Sequence, residues 1–276
     1  MDSDLKGFVI SSEELSSQLN DQNIILLDSR WSLDAKYPSI IDYKKSHIPS
    51  SIFFDLNKFF DYSSKLSHTL PTEEQFIRAV SNIGINNKNK IIIYDANGFF
   101  NSCRVWFMFK VFGHEDIVIL DGGYENWVKK KLPLEKKINR LKKSHYKASL
   151  KKQFLIGKLK LEEIVNNQSD EYAIVDARSE SRFLGKEPEP RKGIRKGKIK
   201  NSINIPYTKI FDSEGLISSL DILKKVFFDE NNLKGKKVIS TCGSGITACN
   251  ILFALQILSH KKNFLYDGSW AEWGKI

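Results

Sequence analysis

The chain has only three cysteines among its 276 residues, Cys103, Cys242 and Cys249. Three thiols cannot all pair and are far too few to staple a chain this long, which excludes a disulfide scaffold and leads to the expectation of a reducing compartment. Long apolar runs are also missing: nothing approaches the roughly 20 consecutive apolar residues that cross a bilayer. The opening stretch, Met1-Asp2-Ser3-Asp4-Leu5-Lys6, has neither the basic-then-apolar order of a secretory signal nor the Arg-rich, acid-poor character of a transit peptide. A soluble, cytoplasmic protein without a membrane partner is therefore expected. The formal charge is +10, yet no stretch interleaves lysines with stacking aromatics as single-strand binders do. The basic clusters at Lys129-Lys131, Lys136-Lys143, Lys151-Lys152 and Arg191-Lys200 read as solvated surface with a lesser part in drawing in anions. No nucleic-acid partner is expected.

What is present is a plan written twice. Ile24-Ile25-Leu26-Leu27-Asp28-Ser29-Arg30 matches Tyr172-Ala173-Ile174-Val175-Asp176-Ala177-Arg178, each a buried-strand pattern ending in Asp-x-Arg. His47-Ile48-Pro49-Ser50-Ser51-Ile52 then corresponds to Lys198-Ile199-Lys200-Asn201-Ser202-Ile203, Ile91-Ile92-Ile93-Tyr94-Asp95 to Val238-Ile239-Ser240-Thr241-Cys242, and Asp121-Gly122-Gly123-Tyr124 to Asp267-Gly268-Ser269-Trp270. Four elements in one order at a nearly constant offset indicate an internal duplication. Helical patterns over residues 72–80, 102–112, 159–166, 221–228 and 248–258 alternate with the short apolar strands. Such alternation indicates an α/β fold, two tandem domains each built on a mostly parallel sheet flanked by helices. Thr72 after Pro71, with Gln75 three residues on, predicts a capped helix start. Expected boundaries are 5–133 for the first domain, 134–153 for a basic linker without strong periodicity, and 154–276 for the second.

The chemistry concentrates at Cys242. A strand pattern ends there, and Gly243-Ser244-Gly245-Ile246-Thr247 leads into an apolar helix. A tight loop entering a helix aims several N–H groups at one point, which stabilises a thiolate and any anionic sulfur attached to it. Cys242 is the candidate nucleophile, whereas Cys103 and Cys249 read as packing residues. A phosphatase loop would need an arginine six residues after its cysteine to grip phosphate; position 248 is alanine. In the first copy Asp95 or Ala96 stands where the nucleophile would be, so that copy is expected to be catalytically silent.

These residues resemble the tandem-rhodanese sulfurtransferases over nearly the whole chain. The carriers of the resemblance are the Asp-x-Arg strand ends, the His-Ile-Pro turn, the two Asp-Gly-Gly/Ser corners and the loop from Cys242 to Cys249. Members of that family specific for thiosulfate place Arg-Lys after the cysteine, and members specific for 3-mercaptopyruvate place Gly-Ser, as Gly243-Ser244 do here. Arg182-Phe183-Leu184-Gly185-Lys186-Glu187-Pro188-Glu189-Pro190-Arg191 matches a second signature of the mercaptopyruvate branch. By resemblance, Arg182 and Arg191 hold the carboxylate and keto oxygens of the donor, a task suited to guanidinium forks. Gly243, Gly245, Ile246 and Thr247 then line the substrate loop, and Ser244 assists proton delivery. The family's first domain also supplies a histidine and a carboxylate. His47 is the matching histidine, although its turn equally suits a structural role, and Asp34 and Asp42 both remain candidates for the carboxylate. The loop from Asp95 to Ser102 departs from the family pattern, being short and carrying Phe100 in a tyrosine position.

The resemblance implies sulfur transfer from 3-mercaptopyruvate to a thiol, thioredoxin or cyanide through a Cys242 persulfide, with no metal or organic cofactor. Two alternatives stay open. One is a thiosulfate sulfurtransferase with the same persulfide; the other is a non-catalytic binding module, which the presence of Cys242 opposes.

Overall fold

In a computed structural model, residues 5–31, 39–96 and 99–276 are described, and they divide into two units. The first unit comprises Met1–Asp61, Pro71–Leu150 and Phe211–Ile217; the second comprises Tyr62–Leu70, Lys151–Ile210 and Ser218–Ile276. Each unit thus includes one short arm from the other half of the sequence.

The first unit contains strands β1 (Val9–Ile10), β2 (Ile24–Asp28), β3 (Ile52–Phe53), β4 (Lys90–Tyr94) and β5 (Ile117–Leu120). All pair in parallel, in the order β1-β5-β4-β2-β3. Helices α1 (Ser12–Gln18), α2 (Ile40–Lys45), α3 (Glu73–Asn82), α4 (Ser102–Val111) and α5 (Gly123–Lys129) connect them. A strand covered on both faces cannot alternate with polar residues, and Ile91, Ile92 and Ile93 are indeed all buried. Each such side chain contributes about 1.5–3 kcal/mol of transfer free energy. The predicted capping box at α3 is present: Thr72 Oγ1 accepts the Gln75 N–H, and the Gln75 side chain accepts the Thr72 N–H.

The second unit repeats the scheme with α6 (Lys158–Asn167), β6 (Tyr172–Asp176), α7 (Glu180–Phe183), β7 (Ile203–Asn204), α8 (Leu220–Lys224), β8 (Lys237–Thr241), α9 (Ala248–Ile257), β9 (Asn263–Leu265) and α10 (Ser269–Trp273). Its parallel sheet runs β7-β6-β8-β9, and a parallel bridge from Leu155 to Leu265 extends it where β1 extends the first. The helix expected over 221–228 is α8 followed by a π-turn at Lys225–Asp229.

The Asp-x-Arg strand ends form buried ion pairs in both units. Arg30 reaches the Asp28 carboxylate at 2.6 Å and Arg178 reaches Asp176 at 2.7 Å. Their guanidinium groups lie over aromatic rings, Arg30 at 4.1 Å from the Tyr124 centroid and Arg178 at 4.7 Å from that of Trp270. The stretch expected as a linker is irregular, but its greater part belongs to the first unit. Glu135 pairs with His47 through the backbone, Ser144 N–H donates to Ser81 O, and Tyr146 is buried. Among the described residues no helix is long and apolar enough to cross a membrane.

Candidate active site

Strand β8 ends at Thr241, in register with Asp176 of β6, and the chain turns at Cys242 before α9 begins. Two glycines shape the turn for different reasons. Gly245 has φ +79°, a left-handed conformation that side chains resist. Gly243 is needed for space: a Cβ there would lie 2.8 Å from Nη2 of Arg182.

Cys242 is buried, with only 2% of its surface exposed, and the loop residues Gly243, Ser244, Gly245 and Ile246 are buried around it; Thr247 is half-buried. Helix α10 clips the loop from behind. Trp270 N–H donates to Cys242 O at 3.0 Å and Ala271 N–H to Gly243 O at 2.9 Å. With those carbonyls tied to α10, the N–H groups of Gly243, Ser244, Ile246 and Thr247 are left without an acceptor among the described residues. Such a run of unpaired N–H groups is an anion nest at a helix entrance. It is the feature that a thiolate or persulfide at Cys242 requires.

The two arginines frame this loop. Arg182, at the end of α7, donates from Nη2 to Glu189 at 2.5 Å, and Glu189 also accepts from Arg178 at 2.7 Å. The Glu189 side chain is nearly fully buried and so holds two guanidinium groups in fixed positions. Sequence reasoning missed this clamp, although Glu189 sits between the prolines of the segment that nominated the arginines. Arg182 Nε is buried and has no acceptor among the described residues. Arg191 donates to Ser67 Oγ and His68 Nδ1, each at 3.0 Å. Burial pulls the Arg191 guanidinium below its ordinary range and Arg182 adds to this, while Cys242 and Glu189 oppose it. Arg191 thus lies within electrostatic reach of Cys242, Arg182 and Glu189.

Ser67 and His68 belong to the arm Tyr62–Leu70 of the same unit, and Leu70 N–H donates to Asp267 at 2.6 Å. Sequence reasoning placed no functional residue on this arm. The available signal was weak, a lone His-Thr-Leu-Pro stretch ahead of α3.

His47 has a setting unlike the catalytic one expected. It is fully buried in the first unit, its ring stacks on Tyr43 at 3.8 Å, Nδ1 lies 2.6 Å from Tyr43 O, and Nε2 lies 3.0 Å from Lys137 O. The Glu135 carboxylate lies 3.5 Å from Nε2, so the ring is enclosed by Tyr43, Lys137 and Glu135 of its own unit. Asp42 is exposed and paired with Lys45, and Asp34 lies outside the described residues. Cys103 and Cys249 are buried within α4 and α9.

The first unit contains the same corner with another occupant. Asp28 of β2 is in register with Tyr94 of β4, as Asp176 is with Thr241, so the residue matching Cys242 is Asp95. Tyr124 N–H donates to Asp95 O and Glu125 N–H to Ala96 O, the counterparts of the α10 clip. The Asp95 carboxylate accepts N–H groups from Ala96, Asn101 and Ser102, so this copy fills its nest with its own side chain. Burial pushes Asp95 up to about 6, against the pull of those donors. Asn97 and Gly98 of this loop lie outside the described residues.

The sequence matches the rhodanese-like domain family over residues 11–130 and 160–276. It is 37% identical to thiosulfate/3-mercaptopyruvate sulfurtransferase 1, mitochondrial, of Arabidopsis thaliana, covering 96% of this chain and 75% of that protein. It is 34% identical to the 3-mercaptopyruvate sulfurtransferase of Homo sapiens, covering 95% and 89%. Among solved structures, SseA of Escherichia coli, a 3-mercaptopyruvate sulfotransferase, superposes with a TM-score of 0.87 at 30% identity, covering 95% of this chain and 98% of that one.

Proposed function

The chain belongs to the rhodanese-like domain family and is a sulfurtransferase, and from that premise we propose that its second unit takes sulfur from 3-mercaptopyruvate through a persulfide on Cys242. One observation carries the choice of donor. The Arg182 guanidinium, tied down by Glu189, occupies the space above Gly243 of the cysteine loop. A cation held over the nucleophile's own loop suits a donor whose carboxylate and keto oxygens sit a few bonds from its sulfur. The arginine that thiosulfate-specific loops carry at position 243 would collide with it.

The Cys242 thiolate attacks the donor sulfur, and the carbon–sulfur bond breaks with its electron pair passing to carbon. The resulting enolate takes up a proton and leaves as pyruvate, while Cys242 keeps the sulfur as a persulfide anion. Arg182 and Arg191 hold the carboxylate and oppose the charge growing on the keto oxygen. The unpaired N–H groups of Gly243, Ser244, Ile246 and Thr247 receive the persulfide. Ser244, whose hydroxyl has no side-chain partner among the described residues, relays the proton of the donor's thiol to the enolate carbon, and His68 beside Arg191 assists. An acceptor, cyanide or the thiolate of a small thiol or of thioredoxin, then attacks the outer sulfur, the sulfur–sulfur bond breaks, and Cys242 returns to the thiolate. Free thiols at Cys103, Cys242 and Cys249 suit a reducing compartment such as the cytoplasm.

The test is steady-state sulfur transfer to cyanide with 3-mercaptopyruvate and thiosulfate in parallel. A higher kcat/KM is expected for 3-mercaptopyruvate, and Cys242→Ser should abolish turnover with both. A preference for thiosulfate overturns the donor, turnover by Cys242→Ser overturns the nucleophile, and inactivity of the unaltered protein with both donors favours a binding module.

A further inference from the structure

The corner that clips the cysteine loop carries one bond in the second unit that the first unit does not make. In both, two N–H groups of the helix following the corner hold two successive loop carbonyls, Asp95 and Ala96 in one, Cys242 and Gly243 in the other. In the second unit alone, the residue that opens the helix adds a side-chain bond: the Cys242 N–H donates to Ser269 Oγ at 3.1 Å. The Ser269 hydroxyl hydrogen is committed to Tyr266 O at 2.9 Å, so its lone pairs are turned toward Cys242.

Ser269 occupies this place at a cost. Its φ is +50°, in the left-handed region where glycine is at ease and serine is strained. The matching residue in the first unit is Gly123, with φ +58°, where a Cβ would fall 2.7 Å from Asp95 O. The duplicated corner therefore accepts glycine, and a fully buried serine has been kept in the copy that has the cysteine.

The consequence follows from the geometry of the chain. With its N–H on Ser269 Oγ and its carbonyl on Trp270 N–H, Cys242 has both flanking peptide planes fixed. The direction of its Cα–Cβ bond is then set, and only the χ1 rotation remains to place the sulfur. Asp95 needs no such device, because its carboxylate is held directly by three N–H groups. The Cys242 sulfur accepts no loop N–H among the described residues, so the backbone bonds alone set its direction.

We propose that Ser269 is a positioning residue for sulfur transfer, its hydroxyl fixing the backbone of Cys242 so that the thiolate points into the nest between the arginines. This rests on the reading of Cys242 as the nucleophile. The test is single-turnover pyruvate release from 3-mercaptopyruvate by Ser269→Gly, Ser269→Ala and Cys242→Ser, with thermal denaturation of each. Ser269→Gly restores the residue natural to this corner and relieves the strained φ, so the fold should survive with an unchanged or higher Tm. The single-turnover rate should nonetheless fall about ten- to hundred-fold in both Ser269 variants, while half-saturation by the donor stays within about three-fold. Wild-type rates in both Ser269 variants beside an inactive Cys242→Ser overturn the positioning role and leave the nucleophile standing. A rate loss that is matched by a rise in half-saturation and a lower Tm shows a merely structural serine and also overturns it. Turnover by Cys242→Ser removes the nucleophile and the proposal together.

Discussion

At Gly243 the absent side chain is what lets Arg182 reach the cysteine loop. A methyl group there would meet Arg182 Nη2 at 2.8 Å, and the arginine cannot yield without leaving Glu189, since that ion pair is what places it. Gly243→Ala should therefore act on donor binding through a residue it does not replace. Losing a charge-assisted bond costs about 1.5–3 kcal/mol, so KM for 3-mercaptopyruvate should rise about ten- to hundred-fold with a smaller change in kcat. An unchanged KM in steady-state assays would show that Arg182 does not hold the donor. Much of this level was legible in the sequence: the cysteine and the glycines were nominated by type and spacing and both arginines by family resemblance, and the structure gathers them in one unit. His47 shows where that legibility stops. A histidine before a turn has the same appearance whatever surrounds its nitrogens, and only the fold reveals Tyr43 O, Lys137 O and the Glu135 carboxylate around the ring. Glu189 was hidden for a related reason, because the order of residues does not say that one carboxylate will serve both Arg178 and Arg182.

Among the elements, α3 was the most readable, since its start depends on four consecutive residues and its capping box is local chemistry. The segment from 134 to 150 was the least readable. It has no period because its bonds are individual ones to distant residues, such as Lys147 with Asn87 in both directions and Ser144 Oγ with Ile85 O. The corner between β9 and α10 was seen only as a repeated motif, yet it does two jobs within three residues: Ser269 holds Cys242, and Asp267 holds the arm at Leu70. That arm puts Ser67 and His68 on Arg191. Asp267→Ala should release it and raise KM for 3-mercaptopyruvate about five-fold or more, by loss of one hydrogen bond to a charged group. Asp267→Asn, whose amide oxygen can still accept the Leu70 N–H, should restore most of the affinity. If the alanine and asparagine variants show equal KM values, the arm is not held through this bond.

The molecule as a whole uses one loop design in two ways, with an aspartate that satisfies the nest internally and with a cysteine whose loop N–H groups have no acceptor among the described residues. The internal solution has a pH signature. Burial raises both Asp95 and Asp121 to about 6 from 3.8, and both lie in the first unit. A carboxyl whose folded pKa lies above its unfolded value keeps its proton more readily in the folded state. Its favourable contribution is therefore complete below about pH 3.8 and is lost as pH rises through about 6. A rise of that size corresponds to about 3 kcal/mol, so ionised Asp95 weighs against the fold at neutral pH by an amount of that order. Asp95→Asn removes the ionisation and keeps an oxygen for the loop N–H groups. Urea unfolding at about pH 5 and about pH 7.5 should show a smaller fall in stability with rising pH for the variant than for the wild type. Sulfur transfer should be little changed, because no donor or acceptor of the proposed reaction is removed. Equal pH dependence in the two proteins would mean that Asp95 does not change ionisation in this range, and a collapse of activity would mean that the first copy is not catalytically silent.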